Sequence, residues 1–285
     1  MKNKIVIGLG EILWDLLPDG KQLGGAPANF AWHAQQLGAR GVVVSAVGDD
    51  DYGKEILDII RERKLGNGIA VTEKPTGSVE VKLKKGIPEY IIYEHVAWDF
   101  IDLNDMAVDA LCQADAVCFG TLAQRNGHSQ KTIFKALDMT PEGCIKVFDI
   151  NLRQQFYSKD AIERSLHYAD VLKLNDEELL VVKDLLGISG NEVSACKNIL
   201  NHYNLKMVVL TGGDQRSILL TGKEISELQT PETKVADTIG AGDAFAAAVT
   251  MGILNDLPLK EIHKKAVEIS AFVCTKDGAM PIYYP

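Results

Sequence analysis

The feature that most constrains this chain is a rhythm. Short β-branched apolar runs alternate with amphipathic stretches along most of its 285 residues. KIVIGLG precedes ANFAWHAQQLG, and GVVVSAVG precedes YGKEILDIIRER. DAVCFG, KTIFKALDM, IKVFDIN, ADVLKLN, KNILNHYN, KMVVLTGG and EIHKKAVEISAFVCT continue the pattern. Strands that are apolar along their whole length are covered on both faces, and helices between them make neighbouring strands parallel. The pattern predicts an α/β fold: a doubly wound, mostly parallel sheet flanked by helices. No composition shift marks a linker, so residues 1–285 are expected to form one domain.

One segment departs from the rhythm. AVTEKPTGSVEVKLKKGIPEYIIYEH, starting at Ala70, alternates as strand-turn-strand, with Lys85-Gly86 and Pro88 in the turn region and no helix between. Trp14 to Leu23 carries a second turn signal, Pro18-Asp19-Gly20. Together these stretches, about 14–23 and 70–98, are expected to make a small β-sheet lid over a pocket. The alternative is a plain edge hairpin.

Composition narrows the function. A net charge of −9 without a basic run argues against a nucleic-acid partner, because binding a phosphate backbone needs a basic face. No stretch approaches the roughly 20 apolar residues of a membrane span. MKNKIVIGLGEILWD carries Glu11 directly behind its apolar run and reads as a first strand, not a leader, so a cytoplasmic location and no membrane partner are expected. Five cysteines include no Cys-x-x-Cys pair and read as buried free thiols. Six scattered histidines, His33, His95, His128, His167, His202 and His263, lack the spacing that aims two rings at one metal and read as structural or surface residues.

The chemistry is concentrated in DTIGAGDAFAAAV, from Asp237 to Val249. Gly240, Ala241 and Gly242 stand directly before Asp243 at the expected start of an alanine-rich helix. Small residues leave backbone N–H groups open, and a helix start adds partial positive charge, so the turn suits an anion such as phosphate. Other phosphate motifs are absent. There is no G-x-x-x-x-G-K-[ST], and Gly8-Leu9-Gly10 is not completed to G-x-G-x-x-G because Leu13 holds the last position. By itself Asp243 also fits a first-turn acid favoured by the helix dipole.

GGAPANFAWHAQQLG (Gly24 to Gly38) and DTIGAGDAF (Asp237 to Phe245) resemble the two signature regions of the PfkB, or ribokinase-like, sugar kinases. DINLR (Asp149 to Arg153), NDEE (Asn175 to Glu178) and LTGGD (Leu210 to Asp214) fall between them in the family's order. The resemblance implies a ribokinase-like fold and an ATP-dependent phosphotransferase with an alcohol group as acceptor, using Mg²⁺. It implies that Asp243 is the general base for a sugar hydroxyl and that the amides of Gly240, Ala241 and Gly242 hold the transferring phosphoryl group. Arg153 would stabilise that group through its planar fork, with Asn151 nearby on the substrate side.

Asn175 and Glu178 would organise Mg²⁺ and the phosphates through water, although Asp176, Glu177 and Glu178 after an Asn cap also make an ordinary helix start. Thr211 and Gly213 resemble the nucleotide-side loop. Asp15, Gly25 and Asn29 match positions that hold substrate hydroxyls, with Asn29 as a simple cap the alternative. Trp14, Trp32 and Trp98 are candidates for stacking on a sugar, with buried core the competing role. Gly278-Ala279 resembles a loop that, near Asp237 and Ile239, gives backbone carbonyls to K⁺.

Among relatives, GEILWDLLPDGKQLGGAPANFAWHAQQLG and GTLAQR, ending at Arg125, are most similar to bacterial fructokinases. The expected reaction is fructose to fructose 6-phosphate, with Arg125 among the sugar contacts. Kinases for ribose, 2-keto-3-deoxygluconate or a nucleoside would keep the same motifs, and a non-catalytic sugar-binding regulator would keep the fold. An NAD-dependent oxidoreductase lacks its glycine fingerprint here. IIYEHV has apolar residues on both strand faces, so a homodimer through the lid is expected.

Overall fold

The computed structural model describes residues 3–17, 20–84 and 87–283, so Pro18-Asp19 and Lys85-Gly86 lie outside the described residues. β1 (Ile5–Leu9) leads through β2 (Leu13–Leu17) and β3 (Gly20–Gly24) into α1 (Ala26–Gln36), followed by β4 (Arg40–Gly48), α2 (Asp51–Glu62) and β5 (Gly66–Thr72). β6 (Ser78–Lys84) and β7 (Ile87–Ile92) form a hairpin. The alternation then resumes with α3 (Asp105–Leu111), β8 (Ala116–Phe119), α4 (Gly127–Asp138), β9 (Ile145–Asp149), α5 (Lys159–Tyr168) and β10 (Val171–Asn175). α6 (Asp176–Leu186), α7 (Glu192–His202), β11 (Met207–Gly212), β12 (Arg216–Leu220), β13 (Ile225–Gln229), α8 (Ala241–Leu254) and α9 (Leu259–Cys274) complete the chain.

The main sheet has the order β13-β12-β11-β10-β9-β8-β1-β4-β5. It is parallel from β5 to β11 and antiparallel across β11, β12 and β13. Alternate side chains sort to its two faces, as the period of a strand requires. Ile5, Ile7 and Leu9 of β1, with Leu172 and Leu174 of β10, join the core beneath α3 to α7. Val6 and Val171 point the other way, into the core shared with α8 and α9. That parity puts Lys173 on the α8 side.

The second sheet, β3-β2-β6-β7, stands apart from the main one. Its extent differs from the sequence expectation. Residues 70–72 belong to the edge strand β5, paired with β4 from Ala46↔Ala70 to Gly48↔Thr72. Gly66 allows this close pairing, since a Cβ there would stand 2.7 Å from Val42 Cγ2. Pro88 lies within β7, opposite Leu83, not in the turn. At the other end, residues 97–100 form one 3₁₀ turn that buries Trp98. Trp14 and Trp32 are buried as well, so all three tryptophans take the core role. Cys112 is exposed and Cys274 half-buried, in contrast to the buried Cys118, Cys144 and Cys196.

The segment after α9 folds back over α1. Trp32 Nε1 donates to Pro281 O (2.9 Å), Arg63 Nη1 to Met280 O (3.1 Å), and Tyr283 Oη meets His33 Nδ1 at 2.7 Å. Among the described residues no helix is long and apolar enough to cross a membrane.

Two adjacent leucines of α6 test the assignment of its faces, because Leu179 is 1% exposed and Leu180 64%. Leu179→Ala is expected to lower unfolding stability by about 2–5 kcal/mol, and Leu180→Ala by no more than about 0.5 kcal/mol. Denaturant titration of the two variants measures the contrast.

Candidate active site

Strand order reverses at β1, from which the chain runs outward to β4 and β5 before returning to β8 and onward. A crevice opens at the carboxyl ends of the strands beside such a switch point. Most of the residues selected from the sequence meet there.

The start of α8 forms one wall. Gly240 is its N-cap, with φ 80° and no side chain to cap the helix. A Cβ at Gly240 would lie 2.5 Å from Ala279 O, so both the left-handed backbone and the close approach of the C-terminal segment require glycine. The helix therefore begins without a side-chain acceptor on its first amides, which leaves its positive end available to an anion. Asp243 sits in that first turn, and Asn29 Nδ2 of α1 donates to Asp243 Oδ2 at 2.8 Å. Asn29 is thus engaged with Asp243, not with the helix start as a cap. Gly25 precedes α1 with φ 109°, and a Cβ there would collide with Glu11 O.

Beneath the turn lies an ion pair that the sequence reading missed. Parallel register places Lys173 beside Asp149 on adjacent strands, and Lys173 Nζ donates to Asp149 Oδ1 at 3.0 Å. Both are buried, at 8% and 4% exposed. A Cβ at Gly242 would stand 3.0 Å from Lys173 Nζ, so the ammonium packs directly under the anion turn. Burial works against that charge, but Asp149, Glu178 and Asp243 outweigh it and hold the lysine pKa above its ordinary range. Burial raises Asp149 to about 7 against the pull of Lys173. It raises Asp243 as well, opposed by Lys173, the Asn29 hydrogen bond and Arg153.

Glu11 is a second group not singled out from the sequence. It is buried, and its Oε2 has no hydrogen-bond partner among the described residues. Burial pushes it to about 7, against its own backbone amide and Arg153. With Asp149, Asn151 and Gly120 it lines a small cavity under the crevice. Burial also lifts Asp15 on β2 to about 6, with Arg153 opposing.

Asn151 (φ 42°) and Gln154 (φ 49°) hold left-handed backbone in the loop that carries Arg153. Such strain in non-glycine residues clusters at functional loops. Arg153 itself is exposed, with Nη1 donating to Leu152 O. Asn175 caps α6 by accepting from Glu178 N at 2.7 Å, while Glu178 Oε2 accepts from Asn175 N (2.8 Å) and Oε1 from Leu152 N (2.9 Å). The capping box takes Oε2 and Leu152 N takes Oε1, which leaves each oxygen one lone pair, a fit to Mg²⁺ held through water. Among the described residues no three His, Cys, Asp or Glu side chains are grouped to hold a metal.

On the far side of Gly242 a pocket of about 730 Å³ extends between the β11–β12 turn and α9. Thr211 and Gly213 line it, together with Thr233, Phe245, Ala271 and Cys274. The Asp237 carboxylate accepts from Ile239 N (3.0 Å) and Gly278 N (3.3 Å), which ties the two loops together. Arg125 is held by the segment after β7 and by Phe156. It pairs with Asp99 through Nε (2.7 Å) and Nη2 (2.9 Å), donates to Tyr93 O, and is stacked between Trp98 and Phe156. His263 is fixed between Ser217 and Ser226, away from the crevice.

The family model for pfkB carbohydrate kinases matches residues 19–283. A Pyrococcus horikoshii protein named as an uncharacterized sugar kinase, PH1459, is 29% identical over 296 residues, covering 96% of this chain and 91% of its own length. Its structure in complex with ATP superposes with a TM-score of 0.83 over 96% of this chain and 94% of that one. The fructokinase of Solanum tuberosum is 26% identical over 305 residues, covering 99% and 93%. A Vibrio cholerae fructokinase bound to fructose, ADP and calcium shares the fold, with a TM-score of 0.81 and 22% identity over 98% of this chain and 95% of that one.

The buried pair gives a test independent of activity. Lys173→Met strands Asp149 without its counter-charge and is expected to cost about 3–5 kcal/mol of stability. The loss should shrink from pH 8 toward pH 5.5 as Asp149 takes up a proton, and should be smaller when Asp149→Asn is added. Urea midpoints at the two pH values read both effects.

Proposed function

This chain belongs to the pfkB family of carbohydrate kinases, phosphotransferases with an alcohol group as acceptor, and we propose that it transfers the γ-phosphoryl group of ATP to a primary hydroxyl of fructose, giving fructose 6-phosphate and ADP. The observation that carries the reading is the carboxylate of Asp243 held by Asn29 at a side-chain-free helix start, with a large pocket on one side and Asp15 and Gly25 on the other. Full-length relatives named fructokinases support the choice of sugar.

In the proposed reaction Asp243 takes the proton of the attacking hydroxyl while its oxygen bonds to the γ-phosphorus. The bond from that phosphorus to the β-bridging oxygen breaks, and its electron pair leaves on ADP. The amides that begin α8, Gly240 to Gly242, face the charge on the phosphoryl oxygens, with Ala241 N turning from its long bond to Thr238 O (3.3 Å), and Arg153 swings over them from its exposed position. Thr211, Gly213 and Asn175 bind the nucleotide; Asp15, Gly25, Asn29, Asn151 and Arg125 bind the sugar. Mg²⁺, held through water by Glu178, would supply positive charge to the phosphates when bound. K⁺ would sit by the loops joined through Asp237, near Ile239 and Gly278. The second sheet acts as a lid and as a homodimer contact, and the compartment is the cytoplasm.

ADP release with Mg²⁺ and ATP across fructose, ribose, glucose, 2-keto-3-deoxygluconate, fructose 6-phosphate and adenosine tests the substrate. Turnover on fructose with phosphorus coupled to C6 by NMR is expected; preferred turnover on another compound overturns fructose, and binding of a sugar without turnover favours a regulator. A second outcome concerns pH. Burial raises the Asp243 pKa, and the base works only when ionised, so kcat/KM should fall on the acid side at a pH above the ordinary aspartate value.

A further inference from the structure

We propose that Gln22 is a specificity-determining residue that binds a hydroxyl of a neutral sugar; this rests on the sugar-kinase reading above. Gln22 stands on β3 directly opposite Asp15 of β2 in antiparallel register. Directly opposed residues project to the same face of a sheet, so the two side chains share the face that carries Asp15. Gly24, two residues further along the same face, leaves room for the Asp15 carboxylate, since a Cβ there would collide with Oδ2. Gln22 leans the other way, and its Oε1 lies 3.3 Å from where a Cβ on Gly278 would stand. It therefore spans from the second sheet to the loop that Asp237 ties beside the α8 turn.

The chemistry of the surrounding atoms points to the ligand. Gln22 Oε1 is buried and has no hydrogen-bond partner among the described residues. Asn29 Oδ1, whose amide nitrogen is already on Asp243, is in the same condition. Asn29 belongs to the residue pair that holds Asp243, and Asp15 stands opposite Gln22, so the elements around the α8 turn bring three oxygen acceptors together. Buried acceptors without donors are costly, so the group that completes the site brings O–H donors. A polyhydroxyl sugar does this, whereas a carboxylate or phosphate placed at the same points would be repelled by the ionised Asp15 and meet only lone pairs.

The test compares wild type and Gln22→Leu by calorimetric sugar binding and by steady-state kinetics, with fructose and its monodeoxy analogues as probes. Loss of one hydrogen bond to a neutral group should raise the sugar Kd and KM about 2–10-fold, with kcat and the KM for ATP within about 2-fold. One monodeoxy analogue should show the same penalty in wild type and no further penalty in Gln22→Leu. Fully additive penalties for every analogue, or a kcat loss at unchanged sugar KM, would overturn the assignment. Neutral sugars that bind wild type through Gln22 without turnover would uphold it and remove the kinase reading. Wild type that binds no neutral sugar would remove Gln22.

Discussion

The carboxyl edge of the sheet depends on Lys173. Four carboxylates, Glu11, Asp149, Glu178 and Asp243, influence one another there, most of them deep in the protein. Desolvated like charges repel, and the ammonium between Asp149 and the α8 turn offsets part of that repulsion without reaching into the crevice. Arg153 contributes from the open side. Burial drives both Glu11 and Asp149 to about 7, and the neighbouring carboxylates add to it. A phosphate entering this edge meets a helix start and buried cationic charge instead of a wall of carboxylates.

Close approach is the second constraint. α8 reaches the ion pair because Gly242 lacks a Cβ, and the C-terminal segment reaches α8 because Gly240 does. The same segment is fastened to α1 through Trp32 and His33 and to the end of α2 through Arg63. α1 in turn supplies Asn29 to Asp243. The sugar side and the nucleotide side of the proposed site are therefore braced by one set of contacts, and a shift at either side is felt at Asp243.

Much of this was legible in the chain. Apolar runs of β-branched residues gave the parallel strands, and the glycines around Asp243 gave the start of α8 without a side-chain cap, because both signals are local. The boundary of the second sheet was not legible. GNGIAVT and the stretch after it both alternate, and only pairing with β4 separates β5 from the hairpin. The antiparallel β12 and β13 were likewise not foreseen. Lys173 was missed although a signal exists: a lysine inside VLKLN, a strand otherwise apolar on both faces, has to be buried and has to find a partner. Its partner is set by inter-strand register, which a single sequence does not display. In the sequence Glu11 only marks the end of the first apolar run, and its place against Gly25 emerges once α1 is folded onto β1.

The most direct test of the central claim is the turnover of Asp243→Asn at saturating fructose and ATP, measured beside its unfolding midpoint. The account requires the variant to stay folded and to lose about 10²–10⁴-fold in kcat, the range expected when a general base is removed. A folded variant that keeps kcat within a few-fold of wild type would contradict it.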